Sequence, residues 1–471
     1  MSFLSSLTKT QKEAMGLLQV GTFLEYFDLM LYVHMAVLLN DLFFPKTDPK
    51  TASLLTAFAF CSTYLLRPFG ALFFGYIGDH FGRKATVIMT TMIMAISCII
   101  MATLPTYAQI GISAAWFVTI CRMAQGLSSM GEVIGAEIYM TEITKPPARY
   151  PAVGLIGLAS RVGTVSALGV AMLVTTQGFD WRNGFWIGAA IAVVGSVART
   201  RLRETPEFID MKRHLKRAFD DVKGHDPEKT KKLLAIEETL KCQKVDSKTI
   251  FAYFAVTSGA AVNFYFIYFF CGGILKEMGL TPNDIIYQNF IVSIFELISI
   301  GVIVFLGYYI YPLKILKFKA LLYLPVIIIF SFLLSHSPTR ETIFFIQSIG
   351  MIVGLAGSGA DAIMFSHFPV FKRFRYVSFI YAISRSIMAV VTSFGLVYLI
   401  DFLGPWGLCI VLVPITLSFL WGLYHYEKLE HKIEGSFLRS FFRLRAPSSR
   451  TVLEKFQEKN VPEIYKKVQE N

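Results

Sequence analysis

The chain has 471 residues, of which 54% are hydrophobic and only 17% are charged, and its mean hydropathy is +0.54. A soluble globular chain does not carry this much apolar surface, so we predict an all-α membrane protein. The formal net charge of +12 would suggest a nucleic-acid partner if the basic residues formed one patch. Their location along the chain therefore decides between a nucleic-acid partner and a membrane.

Twelve apolar stretches are long enough to cross a bilayer, which takes about 20 residues of helix. They cover 14–39, 51–77, 85–104, 110–131, 151–175, 183–198, 249–275, 285–311, 319–335, 342–365, 376–400 and 404–424. A polar segment at 199–248 is the one sharp change in composition. We therefore predict a six-helix bundle at 1–198, a linker at 199–248, a second bundle at 249–424 and a basic tail at 425–471.

The basic residues are distributed unequally between the two sides of the predicted membrane. If the N-terminus lies inside, the inner segments hold 36 of the 45 Lys and Arg residues and the outer loops hold five. Cytoplasmic loops carry such an excess of Lys and Arg. We therefore expect both termini in the cytoplasm of a bacterial inner membrane, with the lipid bilayer rather than nucleic acid as the partner.

Several kinds of chemistry lack their motifs. The six cysteines include no C-x-x-C pair, and the chain has neither a phosphate-binding G-x-x-x-x-G-K-[ST] loop nor an H-E-x-x-H pair. We therefore expect no cofactor, no metal, no direct use of ATP and no enzymatic activity. The tail does not sustain the heptads of a coiled coil, so we expect a monomer.

The first predicted span carries acids that a bilayer would not accept. Glu25, Asp28 and Tyr32 share one helical face because they are three and four residues apart. Each embedded carboxylate costs about 2.5–3.5 kcal/mol on insertion scales, so the pair must face a cavity or a cation. Structural pairing with an arginine remains an alternative to a role in transport.

The second and third spans meet in the stretch 67–84, R-P-F-G-A-L-F-F-G-Y-I-G-D-H-F-G-R-K. A turn this short needs glycines, and its charged residues mark a membrane surface. The spacing G-x-x-x-D-x-x-G-R-K resembles the loop between helices two and three of the major facilitator superfamily. That resemblance implies that Asp79 meets the start of the eleventh helix and that Arg83 meets Glu142, which ends the fourth.

Three further stretches narrow the resemblance to the metabolite:proton symporter family, which includes proline/betaine, oxoglutarate and shikimate carriers. They are the first-span motif G-T-F-L-E-Y-F-D-L-M-L-Y, the fourth-span motif R-M-A-Q-G-L-S-S-M-G-E and the motif R-L-R-E-T-P-E-F after the sixth span. Met130 departs from the family, which has a glycine there. The resemblance implies two six-helix bundles related by a pseudo-two-fold axis, with alternating access to a site between them.

The fourth span places Arg122, Gln125 and Glu137 on one stripe, with Glu132 at its edge. A charged stripe on a membrane helix must face protein or water. Pairing of Arg122 with a glutamate of its own helix, without a role in transport, remains an alternative.

An internal repeat appears when the halves are offset by 224 residues. Glu137 then aligns with Asp361, and Arg161 aligns with Arg385. Matching positions lie on opposite sides of a two-fold axis, so both arginines can face one cavity. They would either clamp a carboxylate-bearing substrate or form structural pairs, Arg161 with Glu137 and Arg385 with Asp361. The loop between spans eight and nine lacks the glycine–aspartate turn, which puts a second gate in doubt.

These observations predict proton-coupled uptake, by a secondary active transporter, of a small carboxylate or zwitterion that is proline/betaine-like or dicarboxylate-like. A uniporter, an exchanger or a non-transporting membrane sensor of the same fold remains open. The predicted substrate-binding residues are Arg122, Arg161, Arg385, Gln125 and Tyr32. The predicted proton-coupling residues are Glu25, Asp28, Glu137 and Asp361. The predicted gating residues are Gly75, Asp79, Gly82, Arg83, Lys84 and Glu142.

Overall fold

The computed structural model describes residues 3–44, 49–206, 208–210, 245–336, 338–356 and 359–434. Most of the predicted linker and the tail beyond residue 434 lie outside these ranges. Within them the chain is helical, and no β-strand occurs in any described segment.

The described part of the N-terminal half contains six long helices. They are α1 Lys9–Phe43, α2 Pro49–His80, α3 Arg83–Thr103, α4 Ile112–Ile143, α5 Arg149–Gln177 and α6 Arg182–Arg199. The turn between α2 and α3 is only two residues long. Gly82 makes it possible because its φ of 115° is strained for any residue with a side chain.

The C-terminal half also has six long helices, several of them interrupted. They are α7 Ser247–Glu277, α8 Pro282–Leu306, α9 Pro312–His336, α10 Arg340–Val353, α11 Val370–Val390 and α12 Gly407–Glu434. One π-helical turn, Tyr265–Phe270, lies inside α7. A second, Val391–Leu396, follows directly after α11. The predicted tenth span is not one helix, because α10 ends at Val353 and a short helix follows at Asp361–Ser366.

Six of the described helices are long and apolar enough to cross a membrane by length and composition alone. They are Arg83–Thr103, Arg149–Val174, Ser247–Glu277, Pro282–Leu306, Pro312–His336 and Gly404–His431. Helices α1, α2 and α4 carry buried charged residues in their interiors, which is where the candidate site lies.

Helices within each half approach closely, and the halves meet along two seams. A Cβ at Gly70 of α2 would collide with the backbone of Leu127 on α4, and one at Gly163 of α5 with the backbone of Phe23 on α1. Small residues permit this packing in membranes, where lipid provides no hydrophobic drive between helices. The halves contact each other through α2 against α11 and α5 against α8.

Candidate functional site

A cavity lies between the two halves. Helices of both halves line it, and its polar or charged lining residues are Tyr26, Tyr64, Arg67, Arg161, Asn263, Glu296, Lys319 and Arg385. The predicted residues Arg161 and Arg385 therefore share one cavity, on the matching helices α5 and α11.

Both first-span acids are buried and paired with arginines of neighbouring helices. Glu25 lies 3.2 Å from Arg67 of α2, and Asp28 lies 3.1 Å from Arg122 of α4. The pairing that the sequence left open as an alternative is therefore present. Arg122 pairs with Asp28 of another helix, so the alternative of a pair with a glutamate of its own helix does not hold.

The residues around Arg122 form a closed polar cluster. Gln125 donates to Asp28 at 2.9 Å and accepts from Arg122 at 2.8 Å, while the Arg122 guanidinium lies 4.0 Å from the centre of the Tyr32 ring. The structure brings these four predicted site residues together. None of these four residues lines the cavity.

A second buried network fastens α6 to the N-terminal bundle. Glu132 accepts from Arg199 at 2.6 Å and from the hydroxyl groups of Thr90 and Thr91. Arg199 is fully buried, although the sequence placed it at the first position of the linker. Since backbone carbonyls of α1 also accept from its guanidinium, this pair has a structural role.

The structural pair of Arg161 with Glu137, one of the two alternatives from the sequence, is absent. Arg161 contacts Glu296 of α8 at 3.1 Å, across the seam between the halves, and not Glu137. The offset alignment could not show this, because it compares only positions within the repeat. Glu296 lies outside the aligned motifs.

Two cations that line the cavity lack such a partner. Among the described residues, no acid lies within 4 Å of the Arg385 guanidinium or of the Lys319 ammonium. The proposed pair between Arg385 and Asp361 is therefore absent. The Arg385 Nε has no hydrogen-bond partner either, and the guanidinium lies 4.6 Å from the centre of the Tyr381 ring. Lys319 is only 8% exposed.

The repeat-related acids Glu137 and Asp361 face each other across the two halves. The short helix that begins at Asp361 packs against α4, and the two carboxyl groups interact electrostatically with each other and with Arg385. No arginine or lysine of the described chain forms an ion pair with either acid. A buried pair of carboxyl groups without an ion-pair partner is a site where a proton can reside.

At the end of the molecule that carries the α2–α3 turn, which we call the turn side, a buried ion network joins the halves. Arg83 donates to Glu142 at 3.1 Å, and Arg373 of α11 donates to the same carboxylate at 3.0 Å. Arg83 also donates to the carbonyl of Val370 at 2.6 Å. Glu142 therefore bridges an arginine of each half.

Asp79 adds a second link across the same seam. Its carboxylate accepts from the backbone N–H groups of Phe374 and Arg375, each at 3.1 Å, in the first two turns of α11. Carboxylates are favoured at the N-terminal end of a helix. Gly75 allows the approach, because a Cβ there would lie 2.8 Å from the Cα of Arg375.

The motif after the sixth span forms the underside of this network. Glu204 accepts from the backbone N–H groups of Arg83 and Lys84, and a Cβ at Gly82 would collide with its carboxylate. Thr205 donates to Glu142 at 2.6 Å, and the Phe208 ring lies 5.0 Å below the Arg83 guanidinium. Lys84 itself donates to the carbonyl of Thr200 at 2.8 Å.

The matching region of the C-terminal half is built differently. Tyr311 donates to Glu430 at 3.0 Å, and His367 lies 2.9 Å from the same carboxylate. Lys317 pairs with Glu427 at 2.7 Å. All of these contacts lie within the C-terminal half, and the Tyr150 and Tyr311 rings meet across the halves at 6.0 Å.

The family description "Major Facilitator Superfamily" matches residues 18–393. The chain belongs to this superfamily. The predicted all-α fold of two six-helix bundles is confirmed, and membership of this superfamily supports a membrane transporter rather than an enzyme.

Relatives and solved structures resemble the chain in different ways. It is 34% identical over 204 residues to a "Proline/betaine transporter" of Escherichia coli and 36% identical over 199 residues to the "Inner membrane metabolite transport protein YhjE" of the same species. The matches cover 42% and 40% of this chain and 41% and 45% of those proteins, so the chain spans less than half the length of the curated relatives it matches. A solved proton:xylose symporter bound to 6-bromo-6-deoxy-D-glucose shares the fold, with a TM-score of 0.68, 15% identity and coverage of 87% of this chain and 95% of that chain.

Sequence reasoning missed Lys319 and Arg373 as site residues. It placed Lys319 at the first residue of the predicted ninth span, 319–335. The signal that could have found it is Pro312, since proline favours the first turn of a helix. A helix that begins there carries Lys319 about 10 Å inward, at 1.5 Å per residue. Arg373 gave no signal of its own.

Proposed function

We propose that the chain is a proton-coupled secondary transporter that moves a small carboxylate-bearing solute across a bacterial inner membrane by alternating access. Both termini would lie in the cytoplasm, which makes the turn side the cytoplasmic side. The observation that carries this proposal is the unpaired Arg385, which lines the cavity between the halves beside the carboxyl pair of Glu137 and Asp361.

Arg385 suits a carboxylate. Its guanidinium presents a planar fork of donors that matches a carboxylate with two parallel hydrogen bonds. An unpaired buried cation carries a large desolvation cost, which an anionic solute would offset on binding. The rings of Tyr26, Tyr64 and Phe264 line the same cavity and would contact the remainder of the solute.

Coupling to protons follows from the position of Arg385 between the solute and the carboxyl pair. Arg385 interacts electrostatically with both Glu137 and Asp361. A carboxylate bound to Arg385 would cancel that influence, so the like-charged pair would take up a proton together with the solute. Glu25 and Asp28 are already ion-paired and come second as proton carriers.

Alternating access would break and remake the turn-side network. In this structure Arg83, Arg373 and Asp79 hold α11 against the N-terminal half, which supports a closed route on the turn side. Separation of α2 from α11 would release these contacts and open the cavity on that side.

Uptake into proteoliposomes, with and without an imposed pH gradient, tests the proposal. We expect Glu137→Gln and Asp361→Asn to abolish gradient-driven accumulation while solute exchange across the membrane continues. Glu277→Gln, an exposed acid at the end of α7, is the control and should accumulate solute normally. Glu25→Gln and Asp28→Asn test the other two predicted proton-coupling acids in the same assay.

Two outcomes would contradict parts of the proposal. Full gradient-driven accumulation in all four acid variants would remove proton coupling and favour a uniporter or an exchanger. A wild-type protein that binds solute but transports none would favour a membrane sensor.

A further inference from the structure

The cavity contains more positive charge than its own acids neutralise. Four cations line it, and two of them are in ion pairs, Arg67 with Glu25 and Arg161 with Glu296. The other two, Arg385 and Lys319, have no acid within 4 Å among the described residues. The cavity therefore presents two separate cationic centres to a solute.

Lys319 has no acid of its own among the described residues with which it forms an ion pair. It lies on α9 and interacts electrostatically with Glu296, but Glu296 is already held by Arg161 at 3.1 Å. The net charge of these three residues is therefore +1. An ammonium group is strongly hydrated, and a buried lysine without a dedicated acid is costly unless a ligand compensates it.

The remaining acids do not cancel this charge. Glu137 and Asp361 interact with Arg385 but are outside the cavity lining, and neither acts on Lys319. In the proposed function they share a proton once a solute is bound, which leaves about one negative charge between them. A zwitterion would then bring its own cation into a cavity that already has an excess of positive charge.

We propose that the transported solute is a dianion, such as a dicarboxylate, with one anionic group on Arg385 and the other on Lys319. This inference rests on the proposed function and narrows its solute class. It also replaces the clamp of Arg161 and Arg385 that the sequence repeat suggested, because Arg161 is occupied by Glu296.

Binding to the purified full-length protein, together with exchange in proteoliposomes, tests the inference at a pH where succinate is a dianion. The probes are succinate, lactate as a monocarboxylate and glycine betaine as a zwitterion. We expect succinate to bind best. Lys319→Gln should weaken succinate binding by at least about tenfold, the loss of one charge-assisted contact, and change lactate binding less than about twofold. Lys319→Arg should retain succinate binding in part.

Lys317→Gln is the matched control. Lys317 lies two residues earlier on the same helix, is 40% exposed and pairs with Glu427 outside the cavity. We expect it to bind succinate normally. This control separates loss of a cavity charge from a general effect of removing a lysine from α9.

The outcomes separate this inference from the proposed function. Transport of lactate or glycine betaine in preference to succinate, or an unchanged preference in Lys319→Gln, would overturn the dianion and leave a carboxylate transporter in place. A wild-type protein that transports none of the three probes would contradict the carboxylate-bearing solute itself, and the dianion with it.

Discussion

The α2–α3 and α8–α9 turns occupy matching places in the two halves, yet the contacts that join the halves near each turn are of different kinds. At the first, buried charges cross the seam: Glu142 bridges Arg83 and Arg373, and Asp79 accepts from the backbone of α11. At the second, the charged contacts stay within the C-terminal half, and aromatic rings such as Tyr150 and Tyr311 meet across it.

The difference shows that the two halves share a fold, but the interactions that stabilise the contact between them are not the same in each half. A buried ion network must be fully satisfied, because removal of one partner leaves an uncompensated charge. Ring contacts are worth only about 0.5–1.5 kcal/mol beyond the area they bury, and they tolerate sliding. We therefore expect the closed state of the turn side to depend mainly on the network of the N-terminal half.

Removal of the bridging carboxylate should have the largest effect. Glu142→Gln would leave the fully buried Arg83 and Arg373 without their shared acid. We expect a loss of about 3–5 kcal/mol of stability and no measurable transport. The thermal unfolding midpoint of the purified protein and uptake in proteoliposomes measure the two effects.

Glu13→Gln is the control for that experiment, since Glu13 is an exposed acid on α1. It should behave as wild type. Normal stability and transport in Glu142→Gln would mean that the network is incidental and that the two turns are equivalent after all.

Asp79→Asn should have the next largest effect, on the closing equilibrium and not on folding. The carboxylate accepts from two backbone N–H groups, whereas an asparagine side chain can accept with only one of its two terminal atoms. Hydrogen bonds to a charged group contribute about 1.5–3 kcal/mol, so the open state should gain about ten- to a hundredfold. Labelling of a cysteine introduced at Ala260, which lines the cavity, measures access from the turn side. Access and transport at wild-type levels would make the turn a topological feature only.

Gly75→Ala should have a smaller effect on the same seam. The added Cβ would lie 2.8 Å from the Cα of Arg375, so backbone must move for α2 and α11 to close. Overpacking of this kind costs about 1 kcal/mol or more, which corresponds to roughly a fivefold lower population of the closed state. Gly16→Ala on α1 is the control, because a Cβ there meets nothing within 4 Å. Equal transport by both variants would show that the seam is loosely packed at Gly75.

The sequence predicted the helices and the turn-side contacts better than the cavity, for a physical reason. Embedded charges and turn glycines stand out in apolar sequence, so Asp79, Arg83 and Glu142 could be named with their contacts. Which acid meets which arginine in the cavity depends on helix rotation and on seams between distant helices. The pairing of Arg161 with Glu296 was therefore not predicted, and Lys319 was placed at the start of a span although its helix begins seven residues earlier, at Pro312.

The smallest effect should come from the C-terminal counterpart of the bridging acid. Glu430 contacts Tyr311 and His367, but its side chain is 21% exposed, so water can replace both partners when Glu430→Gln removes the charge. We expect a loss of less than about 1 kcal/mol and transport within about twofold of wild type. The same unfolding and uptake measurements as for Glu142→Gln apply, which allows the two halves to be compared directly. If Glu430→Gln were as damaging as Glu142→Gln, the α8–α9 side would contain a second gate of equal weight. The asymmetry between the halves would then concern only which residues form each gate, because both networks would hold the turn side closed.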